Sequence, residues 1–185
     1  MTYIPDSAVK FIFVHYSATY DDQVVTAADI ERMHLKRGFN KIGYHAFIRR
    51  TGTVEPGRDM TRPGKVEQGA QVSGHNHHSV GVCFAGGLKR GHGVNKGFDT
   101  RTPEQTEALI AWIDAQLARF GGDGMDPAKG PLVVGHRDAK GAATQCPGFD
   151  VAPWWAEVQA NRRAAKRPRI GLLAAIVNLL KGARA

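Results

Sequence analysis

The chain is short of cysteine, of acidic residues and of long apolar runs. Two cysteines, Cys83 and Cys146, in 185 residues exclude a disulfide-built scaffold. They can form one bridge, but a domain of this size does not need it. Asp and Glu number 17 against 25 Lys and Arg, a formal charge of +8. Such a surface favours anionic partners, whether nucleic acid, anionic lipid or cell-wall polymer, without choosing among them. No apolar run approaches the roughly 20 residues that a membrane-spanning helix needs. Residues Met1 to Lys10, with Pro5 and Asp6 among them, lack the apolar core of a secretory signal. Synthesis in the cytoplasm is therefore expected, and work outside it would need a separate route of release. There is no repeat of domain size. No nucleic-acid motif accompanies the charge, so specific nucleic-acid binding is not expected.

What is present suits a folded, loop-rich α/β protein: 42% hydrophobic residues, 8% aromatics and 22 glycines. The expected architecture is a central mixed β-sheet flanked by helices, with a site at strand ends. One domain over residues 1–165 is expected, followed by a short basic appendage over 166–185.

Phe11-Ile12-Phe13-Val14 is an unbroken β-branched and aromatic run, read as a strand buried on both faces, and it ends in His15. Pro131-Leu132-Val133-Val134-Gly135 repeats the pattern and ends in His136. A side chain at the exit of a central strand is held on a rigid element, as a metal ligand should be. A core histidine bonded to backbone is the alternative for either one alone. Between these strands, Thr26 to Asp29 opens a helix that Gly38 ends, and Gly43 to Ile48 reads as a strand. Thr51-Gly52-Thr53 reads as a hairpin turn into a short strand at Val54. Residues 56–78 show little periodicity and read as a long surface loop serving a site. Ser79 to Phe84 is a further buried strand, and Gly86 to Thr100 a second loop. Thr102-Pro103-Glu104-Gln105 is a helix start with cap, N-terminal proline and capping-box glutamine. Val151 to Ala164 forms the last helix of the body.

Ten residues after His136 lies Cys146, in Thr144-Gln145-Cys146-Pro147-Gly148. Two imidazoles and a thiolate make a three-ligand zinc set with a fourth position left for water, the composition of a catalytic rather than a closed structural site. Spacing alone is weak support, because eight histidines offer many triplets. Cys83, in mid-strand, reads as a small buried hydrophobe. His34 and His45 read as structural, and His92 as a solvated loop residue.

The motifs together carry more. Phe13 to Thr19, Gly43-Tyr44-His45, Gly52 to Asp59, Asn76-His77-His78-Ser79-Val80-Gly81-Val82, Gly135-His136-Arg137, and Cys146 to Asp150 with Trp154-Trp155 run in an order that resembles the type-2 N-acetylmuramoyl-L-alanine amidases. That family includes small phage lysozyme-like amidases and peptidoglycan-recognition proteins. The resemblance spans roughly residues 10 to 156. It implies a zinc-dependent enzyme that cuts the amide between the lactyl group of N-acetylmuramic acid and L-alanine of peptidoglycan, and in particular a phage endolysin acting on the cell wall after release. It implies Zn2+ held by His15, His136 and Cys146, catalytic roles for Tyr44 and Thr144, and substrate contacts at Asn76 and His77. His75 and His78 are open between substrate contact, support for other groups and plain solvation. Some phage members carry lysine where this chain has Thr144, so Thr144 is expected to assist without being indispensable. Two other roles known in the family are a non-catalytic muropeptide-binding module, whose members lack the cysteine, and a regulator that binds a phage polymerase. The enzyme is expected to be a monomer.

In the tail, the basic cluster Lys166-Arg167-Pro168-Arg169 precedes an apolar stretch from Ile170 to Leu180. A cationic amphipathic helix is expected there. It is suited either to docking on the body or to contact with an anionic membrane surface.

Overall fold

The computed structural model describes residues 1–166. Strand β1 (Tyr3–Pro5) leads into β2 (Phe11–Tyr16) and the two-residue β3 (Thr19–Tyr20), followed by helix α1 (Ala27–Leu35). A hairpin of β4 (Ala46–Ile48) and β5 (Val54–Pro56) precedes β6 (Lys65–Glu67), β7 (Ser79–Phe84) and the short β8 (Gly87–Leu88). The described residues end with α2 (Pro103–Phe120), β9 (Leu132–Gly135) and α3 (Val151–Lys166).

The main sheet has the order β5-β4-β7-β2-β9. The β4–β7, β7–β2 and β2–β9 pairs are parallel, and β4–β5 is antiparallel. This is the mixed sheet expected. Central β2 and β7 are near-continuous apolar runs because both of their faces are covered. Side chains alternate across a strand, and the alternation sorts the core. Ile12, Val14, Val80, Val82 and Ile48 join Leu109, Ile113 and Leu117 of α2 and Trp155 of α3 in one cluster. Phe47 and Cys83 face the other way, into a smaller cluster with Ile30 of α1 and Ile42. His15 lies one residue beyond Val14, so it opens onto the second face. Trp155 is fully buried and donates its indole N–H to the Asp123 carbonyl at 2.8 Å. Helix α2 opens on the expected capping box, Thr102 with Gln105, and α1 opens on Thr26, whose cap the structure completes as a box with Asp29.

Two expectations need correction. The strand expected from Gly43 begins only at Ala46. Residues 43 to 45 spend their carbonyls elsewhere: Gly43 accepts from Ala70, Tyr44 from Arg58, and His45 from Gly57. Nor is 56–78 simply a surface loop. It contains β6, which pairs with β1, and it buries Arg58, Val66, Glu67 and Val72. Arg58 donates to the Ile42 carbonyl at 2.7 Å and to the Glu67 carboxylate at 3.1 Å. Glu67 also accepts from Lys41 and from the Asp59 amide. A buried charge needs this degree of pairing, and the cluster braces the segment that carries Tyr44. The expected C-terminal amphipathic helix lies, apart from Lys166, outside the described residues. Among the described residues no helix is long and apolar enough to cross a membrane.

Candidate metal centre and active-site cleft

The parallel register brings the two strand exits side by side. Val14 pairs with Gly135, so the residue after each, His15 and His136, stands at the same end of adjacent strands. Their ring centroids are 4.7 Å apart. After Gly135 the chain turns tightly, fixed by the Asp138 carboxylate accepting from the Gly135 amide at 2.8 Å. A Cβ on Gly135 would lie 2.8 Å from the Pro147 ring, so the glycine lets the cysteine loop close down on the turn. The Arg137 amide then donates to the Cys146 carbonyl at 2.8 Å, and the Tyr16 amide to the Cys146 sulfur at 3.3 Å. Thr144 Oγ1 accepts from the Cys146 amide at 3.1 Å.

These ties gather His15, His136 and Cys146 so that one ligand atom from each lies within 4.8 Å of the others. The His15 Nδ1 to Cys146 Sγ separation is 3.7 Å. Two donors about 2.05 and 2.3 Å from one tetrahedral ion would be about 3.6 Å apart, so the donor set fits zinc in type and the His15–Cys146 pair fits it in spacing. The sequence-derived triplet is therefore a real cluster, and no other group of three or more such ligands is found among the described residues. Burial, reinforced by His136, lowers the pKa of His15 to about 3, and burial lowers that of His136. Both imidazoles are neutral near pH 7. Burial pushes the Cys146 thiol up to about 12, a direction that a bound divalent cation reverses.

The cluster lies at a cleft with two lobes of about 450 and 260 Å³. His34, Arg37, Tyr44 and His136 line both lobes, and no acidic side chain lines either. Tyr44 is half-buried, with its ring 5.0 Å from that of His15. Burial, then the two cysteines, hold its hydroxyl well above its ordinary pKa. Thr144 lines the smaller lobe beside Cys146.

Asn76 lines the larger lobe, with its carboxamide oxygen engaged by the backbone amides of Gln71 and Val72. His77 lies outside the two lobes, at the surface beside Asn76 in sequence. It packs its ring against His78, with Nε2 2.7 Å from His78 Nδ1. His34 and His45 are held by backbone: His34 Nδ1 accepts from Gly43, and His45 bridges the Gly81 amide and the Glu67 carbonyl. Sequence reasoning missed Gln71, whose Oε1 lies 2.7 Å from His15 Nε2. It also missed Arg37, which had no motif to mark it.

Comparison with known proteins agrees with this geometry. The family model described as N-acetylmuramoyl-L-alanine amidase matches residues 5–149. The endolysin of Enterobacteria phage T3 is 36% identical over 153 residues, covering 82% of this chain and 88% of its own length. The endolysin of Escherichia phage T7 is 36% identical over 146 residues, covering 78% and 83%. Among solved structures, the N-acetylmuramoyl-L-alanine amidase LysC from Clostridium intestinale superposes with a TM-score of 0.60 at 25% identity, covering 87% of this chain and 91% of LysC. Bumblebee PGRP-SA, at 20% identity and a TM-score of 0.60 over 83% of each chain, shares the fold. The strand-end cluster, the cleft above it and a match running through nearly the whole described body place this chain in the N-acetylmuramoyl-L-alanine amidase family.

Proposed function

We propose that this amidase is a zinc-dependent endolysin. It would hydrolyse the amide joining the lactyl group of N-acetylmuramic acid to L-alanine of the stem peptide, and so open the host wall after release from the cytoplasm. The observation that carries the zinc reading is the convergence of His15, His136 and Cys146 beside an open cleft. The relatives named endolysin support the biological role. When bound, zinc supplies Lewis acidity and lowers the pKa of its water to about 7.

The chain's own residues do the rest. The protonated Tyr44 hydroxyl can donate to the scissile carbonyl oxygen as it gains charge. Arg37 offers a cation to an anionic peptide, in a cleft without competing acid. Asn76 has its oxygen engaged by backbone, so its NH2 is what it presents to substrate. Thr144 holds the Cys146 loop through the Cys146 amide and can donate one neutral hydrogen bond.

Product analysis of digested peptidoglycan tests the reaction. New amino termini on L-alanine without new reducing sugar ends are expected; reducing ends alone would refute the assignment. Thr144→Ala is expected to lower turnover on purified sacculi by roughly 2- to 13-fold, the worth of a neutral hydrogen bond of about 0.5–1.5 kcal/mol. Total loss with zinc still bound would contradict the assisting role.

Zinc uptake has a proton signature. The two histidines are already neutral near pH 7, whereas Cys146 must give up its proton. Binding should therefore release about one proton per ion, and affinity should rise about tenfold per pH unit from pH 7 upward. Calorimetry in buffers of different ionisation enthalpy measures this count. A count near zero would mean that no thiol ionises on binding.

A further inference from the structure

We propose that Gln71 is the positioning residue that fixes the tautomer and ring orientation of His15, so that Nδ1 is the nitrogen offered to the metal. This rests on reading His15, His136 and Cys146 as a metal site. It names a residue outside that triad on which the site depends.

The argument is a chain of donors and acceptors. Ser79 Oγ donates to the His75 carbonyl at 2.8 Å. A carbonyl only accepts, so the single hydroxyl proton of Ser79 is committed. Toward Gln71 Nε2, 3.0 Å away, Ser79 can therefore only accept. The NH2 end of the Gln71 carboxamide must face Ser79, and its oxygen must face His15. That oxygen lies 2.7 Å from His15 Nε2 and has no proton to give, so Nε2 carries the hydrogen. In a neutral imidazole the other nitrogen then bears the lone pair. That nitrogen, Nδ1, is the one 3.7 Å from Cys146 Sγ.

Two further features hold Gln71 in place. Its own amide and that of Val72 both donate to Asn76 Oδ1, at 2.9 and 3.0 Å. Across the sheet, β7 carries glycine at position 81, where a Cβ would lie 1.7 Å from Gln71 Oε1 and 2.4 Å from its Cδ. The Gln71 carboxamide thus occupies the space that a side chain at 81 would fill. Groups of this kind, which accept the distal N–H of a metal-bound histidine, set ligand orientation and basicity.

Three variants test the proposal. Gln71→Leu removes the acceptor at similar size. Gly81→Ala drives the flexible carboxamide out of its place while leaving residue 71 unchanged. Gln71→Glu restores an acceptor to His15. Zinc affinity is read by competition with a chromophoric chelator, and the His15 tautomer by ¹⁵N–¹H correlation spectra of the metal-free protein. The wild type should show the Nε2–H form. The zinc Kd should rise about 10- to 100-fold in Gln71→Leu and Gly81→Ala, and return to within a few-fold of wild type in Gln71→Glu. An Nδ1–H wild type overturns the proposal, as does an unchanged Kd in the first two variants. Equal weakening in all three also overturns it, since that is the mark of a merely structural role. A wild type that binds no zinc would sink the metal reading instead, and the tautomer spectrum would still decide the role of Gln71.

Discussion

Cys146→Ser should leave the fold intact and remove zinc and amidase activity together. Cys146 is 4% exposed and its sulfur accepts from the Tyr16 amide, a bond that a serine oxygen can take over. The protein should therefore unfold at nearly the temperature of the metal-free wild type. What serine cannot supply is a ligand anion, because its hydroxyl does not ionise in this pH range, and two neutral imidazoles remain to hold a dication. Activity should fall on the order of 10³-fold or more, because on the proposed zinc reading the metal would supply both the acidic water and the Lewis acid. Zinc content after dialysis should drop from near one per chain to near zero. Cys83→Ala is the control. Cys83 is fully buried, belongs to the smaller core cluster and is not among the clustered ligands, so this variant should keep its zinc. Full zinc occupancy and activity in Cys146→Ser would remove the thiolate from the scheme.

The contrast between Cys146 and Gln71 shows which parts of the site could be read in the sequence. Apolar runs that stop at His15 and His136 announce buried strands with polar exits, and a parallel sheet places such exits together. The cap residues Thr26 and Thr102 act within three residues, so local spacing was enough to find both helix starts. Gln71 acts on His15 across 56 residues, from a segment with no period, through a hydrogen bond that leaves no trace in composition. Strands β1 and β6 were missed for a related reason. Each is three residues long, too short for alternation to register. The lack of periodicity over 56–78 suggested a surface loop, yet Arg58 and Glu67 are buried and pair with one another. His77 is a further case. Its motif gave it a place in sequence, but the packing of its ring on His78 at the Asn76–His78 turn could be read only from the structure.

Tyr44→Phe should lower turnover about 10²- to 10³-fold, the loss seen when one preorganised oxyanion donor is removed, with zinc content unchanged. The phenyl ring keeps the packing against His15 and His34, whose ring centroids lie 5.0 and 5.3 Å from that of Tyr44, so a purely structural role predicts little loss. The pH profile separates donor from base. Burial first, then Cys83 and Cys146, hold the hydroxyl protonated well above its ordinary pKa of 10.0. A raised pKa keeps the neutral, proton-bearing form in place throughout the neutral range. A donor role therefore predicts that the variant lowers the whole profile without changing its shape below pH 10. Were Tyr44 to act as a phenolate base, wild-type turnover would climb with pH across this range and the variant would lose that climb. Turnover of wild type and variant on purified sacculi between pH 6 and about 10, each with one zinc per chain, decides between them: a constant ratio supports the donor, and a ratio that grows with pH overturns it.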